Sequence, residues 1–173
     1  MNDTTITNDE QFNDIASIVF NNILNRRSVR RFRKDTIPAD ILEKILAAGN
    51  AAPSAGNLKS REFIVLTTQE EIDSVLSYIF SARIMEQKSY FRNAAALVLM
   101  CANPARSKQK YKRGRLYATQ DATLAGQNML LMATALGLGS CWIGQVKEKK
   151  LMKTFNIPEE LRIIGIVAIG YKE

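Results

Sequence analysis

Two runs constrain this chain more than any other feature: Ala95 to Cys101 (AALVLMC) and Ile163 to Ile169 (IIGIVAI), neither of which carries a polar side chain. Segments this short and this apolar read as strands inside a core, and Asn103-Pro104 ends the first of them. Glu62 to Thr67 (EFIVLT) reads as a further strand. Between the strands the period changes to that of helices. Phe12, Ile15, Ala16, Val19, Phe20 and Ile23 mark one face of a helix ending near Asn25, with Thr7 and Glu10 at capping-box spacing. Pro38 opens a second helix over residues 39–50, with Ile41, Leu42, Ile45 and Leu46 as its stripe. Thr68 and Glu71 form another capping box, predicting a helix to about Phe80. Ala122, Ala125, Met129, Met132, Ala133 and Leu136 predict a long helix over 116–138, closed by Gly137 and Gly139. Ser140 to Gly144 leads off it, and a short helix covers 147–155. Helices alternating with a few strands indicate an α/β or α+β unit, and the absence of a repeat or linker makes 1–173 one domain.

Composition narrows the chemistry. Histidine is absent, which removes Ser-His-Asp and Cys-His catalysis and HExxH zinc sites. Cys101 and Cys141 lie in apolar stretches without metal-ligand spacing, so buried reduced thiols are expected. No stretch approaches the roughly 20 apolar residues of a membrane span. The polar start, Met1 to Asn8, is unlike a signal peptide, so the expectation is a cytoplasmic protein with no membrane partner.

The formal charge is +7, from 24 basic and 17 acidic residues. Half of the basic residues fall in two runs: Arg26, Arg27, Arg30, Arg31, Arg33 and Lys34, then Arg106, Lys108, Lys110, Lys112, Arg113 and Arg115. Solvated surface and anion binding are both open for such runs. A nucleic-acid-binding module is a competing reading, but the first run has no interleaved aromatics and no zinc, RRM or homeodomain pattern occurs.

The glycines do not build a phosphate loop. Gly137-x-Gly139 closes a helix where a dinucleotide fingerprint would open one, and Asn57 follows Gly56 where a phosphate loop needs Lys. Three other segments, Arg26-Arg27-Ser28-Val29-Arg30-Arg31-Phe32, Ala52-Pro53-Ser54-Ala55-Gly56-Asn57 and Gly137-Leu138-Gly139-Ser140-Cys141-Trp142-Ile143-Gly144, are read together. In order and separation, across Phe12 to Gly170, they resemble the flavin-contacting motifs of the nitroreductase family.

That resemblance implies a three-layer α/β/α sandwich of the α+β class, with a mostly antiparallel sheet of four or five strands. It also implies a domain-exchanging homodimer with the long helix at its centre, FMN as cofactor and NAD(P)H as co-substrate. The first motif would supply phosphate and ribityl contacts through Arg26, Arg27 and Ser28; each charge-assisted bond contributes about 1.5–3 kcal/mol. Arg30 would sit at the pyrimidine edge of the flavin, where a cation raises its potential. Pro53, Ser54, Ala55 and Asn57 would touch the cofactor bound by the other chain. The usual Gln-Pro-Trp continuation is replaced by Lys59-Ser60-Arg61, and a contact from Lys59 is retained as a cation near the ribityl-phosphate. In the third motif Ser140, Cys141, Trp142, Ile143 and Gly144 would run along the flavin, a backbone N–H directed at N5 or O4. Core packing is an equal reading for Trp142. The phosphate cation that many relatives carry after the last strand has one counterpart here, Lys172; otherwise Arg26 and Arg27 bear the phosphate alone.

The implied activity is ping-pong transfer from NAD(P)H to a small-molecule acceptor, a nitroaromatic or quinone. A relative specialised for dehalogenation or flavin fragmentation would share all three motifs. The run 105–115 is read as either a mobile solvated loop or a cationic lid on the substrate pocket, with Tyr111 and Tyr117 available to stack.

Overall fold

The structure, a computed structural model, describes residues 8–79 and 90–173, and side chains within those ranges from Asp14 onward. Helix α1 (Asn8–Asn25) is followed by α2 (Ala39–Asn50), a 3-10 turn (Ala55–Asn57), β1 (Arg61–Leu66) and α3 (Gln69–Leu76). Then come β2 (Ala96–Ala102), α4 (Pro104–Lys108), α5 (Gly114–Ala135), β3 (Gly139–Ile143), α6 (Glu148–Thr154) and β4 (Arg162–Gly170). The strands form one sheet in the order β1-β2-β4-β3, and every pairing is antiparallel. The α+β class and the antiparallel sheet agree with the expectation.

β2 and β4 are the inner strands, which is why their sequences lack polar side chains: both faces are covered. Strand alternation sends Leu97, Leu99, Cys101, Ile166 and Ala168 to one face, where they pack with Ile72 and Val75 of α3 and Leu151 of α6. Val98, Met100, Val167 and Ile169 face the other way, against Ile45 of α2 and Ala125, Met129 and Ala133 of α5. A register shift at Met100/Cys101 leaves Ile164 unpaired, a β-bulge beside Gly165.

The capping box of α3 is present: Thr68 Oγ1 accepts the Glu71 N–H and the Glu71 carboxylate accepts the Thr68 N–H. That second bond and the Thr68 hydroxyl hold the Glu71 carboxyl below its ordinary range. Thr7, Phe80 and the side chain of Glu10, used to predict helix ends, lie outside the described residues. Gly139 and Ser140 to Ile143 form a true strand at the sheet edge. No helix among the described residues is long and apolar enough to cross a membrane.

α1 departs most from a self-contained fold. Ile15, Ile18, Val19, Phe20, Ile23 and Leu24 are 47–67% exposed, and Leu116 and Leu124 of α5 are exposed as well. Of the stripe predicted from the sequence, Ile15, Ala16, Val19, Phe20 and Ile23 are exposed, the side chain of Phe12 lies outside the described residues, and no core among the described residues receives them. Six large apolar side chains on one exposed helix are a patch of the kind that marks an interface.

Candidate functional site

The first and third motifs meet at the outer edge of β3. Ser28 forms a parallel bridge with Ser140, and the Val29 N–H donates to the Ser140 carbonyl at 2.9 Å. The Ser140 main chain therefore faces residues 28–29 and not β4, and Trp142, two residues on, faces the same way. The Trp142 N–H thus points off the sheet, and among the described residues it has no acceptor outside it. Side chains of β3 go elsewhere. Cys141 and Ile143 are buried on one face of the sheet, and the indole of Trp142 packs on the other. A Cβ at Gly126 or Gly165 would lie 2.4 Å from the indole ring, so the ring fills the space these two glycines leave between α5 and β4. Of the two readings of Trp142, its side chain takes the core one, and only the main chain of this motif is presented outward.

Around that edge stands a group of cations. Burial pushes the Cys141 thiol up, while Arg30, a hydrogen bond with Ser28 and Arg26 pull it back, so both positive charges act on β3, to which Ser28 is bridged. Neither Arg26 nor Arg30 has a carboxylate partner among the described residues. Arg27 is partly engaged: Nη1 donates to the carbonyls of Leu24 and, at 3.0 Å, Arg26, capping the end of α1. Arg31 lies over the Tyr90 ring, and Arg33 pairs with Asp35 and lies over Tyr171; both are exposed. The chain end returns to this place. Phe32 bridges Lys172, and a Cβ at Gly139 would lie 3.1 Å from the Lys172 stem, so Lys172 joins the cluster.

This edge fits a phosphorylated planar cofactor. It offers the guanidinium groups of Arg26 and Arg30, without carboxylate partners among the described residues although Arg30 reaches the Ser28 carbonyl at 3.5 Å, an outward N–H, and the buried Ser140 Oγ, which has no hydrogen-bond partner. A buried hydroxyl left unpaired on the strand that carries this edge is a donor without an acceptor.

The second motif lies elsewhere. Asp121 of α5, 2% exposed, accepts the Ala55 N–H at 2.9 Å and the Ser60 N–H at 3.3 Å, and Ser54 Oγ accepts the Lys59 N–H at 3.0 Å. These bonds hold three positive φ values in a short loop, at Gly56, Asn57 and Lys59. Pro53, Gly56, Asn57 and Lys59 are exposed. Asn22 of α1 reaches α5 at Leu131, ten residues or about 15 Å along the helix from Asp121. No hydrogen bond or ring contact joins residues 53–59 to 26–30 or 140–144 among the described residues, so one chain holds the two halves apart.

Sequence reasoning missed Asp121 and Arg61. Asp121 is the one acid between Asn103 and Lys147 and shares a helical face with Ala118, Ala122 and Ala125, which was the available signal. Arg61, 5% exposed, donates through Nη2 to the carbonyls of Asn50 at 2.8 Å and Ala52 at 2.9 Å, closing the end of α2. Burial lowers its pKa and Asp121 opposes that shift.

The expected loop at 105–115 is corrected. Asn103 Oδ1 accepts the Arg106 N–H at 3.0 Å and Pro104 follows, which nucleates α4. Arg106 then bonds the Lys59 carbonyl and Glu62, and Tyr111 stacks edge-on against Tyr117 at 5.3 Å.

Comparison with known proteins matches the nitroreductase family model to residues 23–171. The chain belongs to the nitroreductase family. One relative is a protein of Archaeoglobus fulgidus whose name offers NADH dehydrogenase and NAD(P)H nitroreductase as alternatives. It is 33% identical over 153 residues, covering 86% of this chain and 82% of its own. A crystal structure of a nitroreductase family protein from Clostridium novyi NT superposes with a TM-score of 0.80 at 25% identity, covering 90% of this chain and 85% of that one. An FMN-dependent nitroreductase of Clostridium difficile R20291 gives 0.76 at 25% identity, with 89% and 87% covered. This nitroreductase-family chain thus has the family's fold along almost all of its described length.

Proposed function

We propose that this chain is an FMN-dependent NAD(P)H oxidoreductase that works as a homodimer, each cofactor lying between two copies. The observation that carries the reading is the β3 edge, which combines Arg26 and Arg30, without carboxylate partners among the described residues, the orphaned Ser140 Oγ and the outward Trp142 N–H. Bound FMN would supply two-electron transfer from a reduced nicotinamide to an acceptor, chemistry that asks no side-chain nucleophile of this histidine-free chain.

The chain's own groups bind, orient and tune. Arg26, Ser28 and Lys172 hold the phosphate and ribityl end, with Arg27 in a lesser share because it also caps α1. Arg30 lies at the pyrimidine edge and favours negative charge there. Ser140 adds its Oγ, and Cys141 to Gly144 act through main chain, since the side chains of Cys141 and Ile143 are buried and that of Trp142 packs between α5 and β4. Pro53, Ser54, Ala55, Asn57 and Lys59 come from the second copy, because within one chain they do not reach the first motif. The exposed apolar face of α1 and α5 is the surface on which that copy docks. A stable homodimer interface of this type buries more than about 2,000 Å².

The acceptor is a nitroaromatic or quinone that enters after the oxidised nicotinamide leaves. Purified protein is expected to be yellow and dimeric, to bleach on anaerobic titration with NADH or NADPH, and to give parallel double-reciprocal lines with a quinone. A colourless monomer that takes up no FMN on reconstitution would end this reading. Bleaching without quinone turnover would retain the cofactor and remove the acceptor class.

A further inference from the structure

The basic run between β2 and α5 is a folded platform. Asn103, Pro104 and the buried Ser107 fix α4, and the turn after it seats Tyr111 and Lys110 on the second motif. A Cβ at Gly56 would stand 2.4 Å from the Tyr111 hydroxyl and 3.1 Å from Lys110 Nζ. Arg106 is used internally by Glu62, and Lys108 and Arg115 line a cleft shared with Glu159 and Glu160. Lys110, Lys112 and Arg113 remain exposed, with no carboxylate in ion-pair range among the described residues. Two of these frame an aromatic pair: Lys110 Nζ is 5.7 Å from the Tyr111 ring centre and Arg113 Cζ is 5.8 Å from that of Tyr117.

We propose that Lys110 and Arg113, with Lys112 between them, bind the 2′-phosphate-bearing adenosine of NADPH and make this protein prefer NADPH to NADH. The assignment rests on the reading above, in which the Gly56 loop borders the bound FMN. A tyrosine pair packed edge to face, with a cation near each ring, sets aromatic surface and positive charge together, as a purine that carries a phosphate dianion requires. In that reading the FMN phosphate has its own cations at Arg26, Arg27 and Lys172 and the flavin ring has Arg30, so neither end of the cofactor calls for this second cationic group. NADH lacks the additional dianion, so these cations discriminate between the two coenzymes where the flavin chemistry does not.

The test uses the Lys110→Gln/Arg113→Gln double variant of the flavin-loaded protein, with titrations of 2′,5′-ADP and 5′-AMP beside steady-state kinetics. The parent should bind 2′,5′-ADP at least about tenfold more tightly than 5′-AMP, a margin that shrinks with salt. The variant should lose that margin, and its kcat/KM ratio for NADPH over NADH should fall by a similar factor with flavin content unchanged. Equal affinity of the parent for the two nucleotides overturns the proposal, as does a variant that keeps the parent's coenzyme ratio. Loss of flavin in step with loss of NADPH would assign the cations to the FMN phosphate and also overturn it. Should the parent hold no FMN, the cofactor reading fails by itself, while the nucleotide titrations still decide whether the cation pair recognises the 2′-phosphate.

Discussion

The Asp121 carboxylate, buried on α5, accepts the Ala55 main-chain N–H at 2.9 Å and thereby fixes the loop that a second copy would meet. Its other oxygen accepts the Ser60 N–H, and its charge opposes the desolvation of buried Arg61. Asp121→Asn preserves volume but replaces one acceptor oxygen with an amide donor facing an N–H, and it removes the charge that offsets the burial of Arg61. Breaking a buried charge arrangement of this kind costs about 3 kcal/mol or more. Urea denaturation should show that loss, accompanied by reduced FMN occupancy. A loss below about 1 kcal/mol would mean that the loop is held by its own turn geometry.

Arg26 and Arg27 are neighbours in sequence but not in role. Arg27 spends donors on the carbonyls of Leu24 and Arg26, whereas Arg26 is half-buried beside Cys141 with no carboxylate of its own. Arg26→Ala should therefore weaken FMN binding by about 1.5–3 kcal/mol, roughly ten- to a hundredfold in Kd. Arg27→Ala should cost less in FMN affinity and more in the helicity of α1. Flavin fluorescence titration of the two apoproteins separates them, and an Arg27→Ala loss equal to that of Arg26→Ala would refute the division.

Legibility followed the degree to which each element depends on this chain alone. β2 and β4 could be read because inner strands covered on both faces need no polar side chains, and α3 because its capping box is local. α1 was legible as a helix, yet where its apolar stripe goes is not written in one chain, since Ile18, Val19 and Phe20 are left exposed by the described residues. The basic run carried its own helix signal in Asn103-Pro104, but uninterrupted charge suggested solvation. What orders it is tertiary: Ser107 is buried and Tyr111 lies on the Gly56 loop. The third motif was assigned by resemblance as a set of residues, and strand alternation then divides it into buried side chains and an exposed edge.

That division makes Trp142 a reporter for the site. Its indole occupies the space over Gly165 at the β-bulge, where a Cβ would stand 2.4 Å from Cζ2 and 2.6 Å from Cε2. A fused ring wedged between α5 and β4 cannot yield as a flexible side chain would, so Gly165→Ala has to move the ring or the strand. Overpacking of this sort costs about 1–3 kcal/mol. Trp142 is the only tryptophan, so its emission reports this position without interference. Gly165→Ala should lower the thermal midpoint and shift the emission to the red as the ring is driven toward solvent. Because the ring is carried by β3, FMN affinity should fall with it even though the indole touches no part of the proposed cofactor site. Unchanged emission together with unchanged FMN affinity would show that β3 is held by Val29 and β4 alone, independent of the packing behind it.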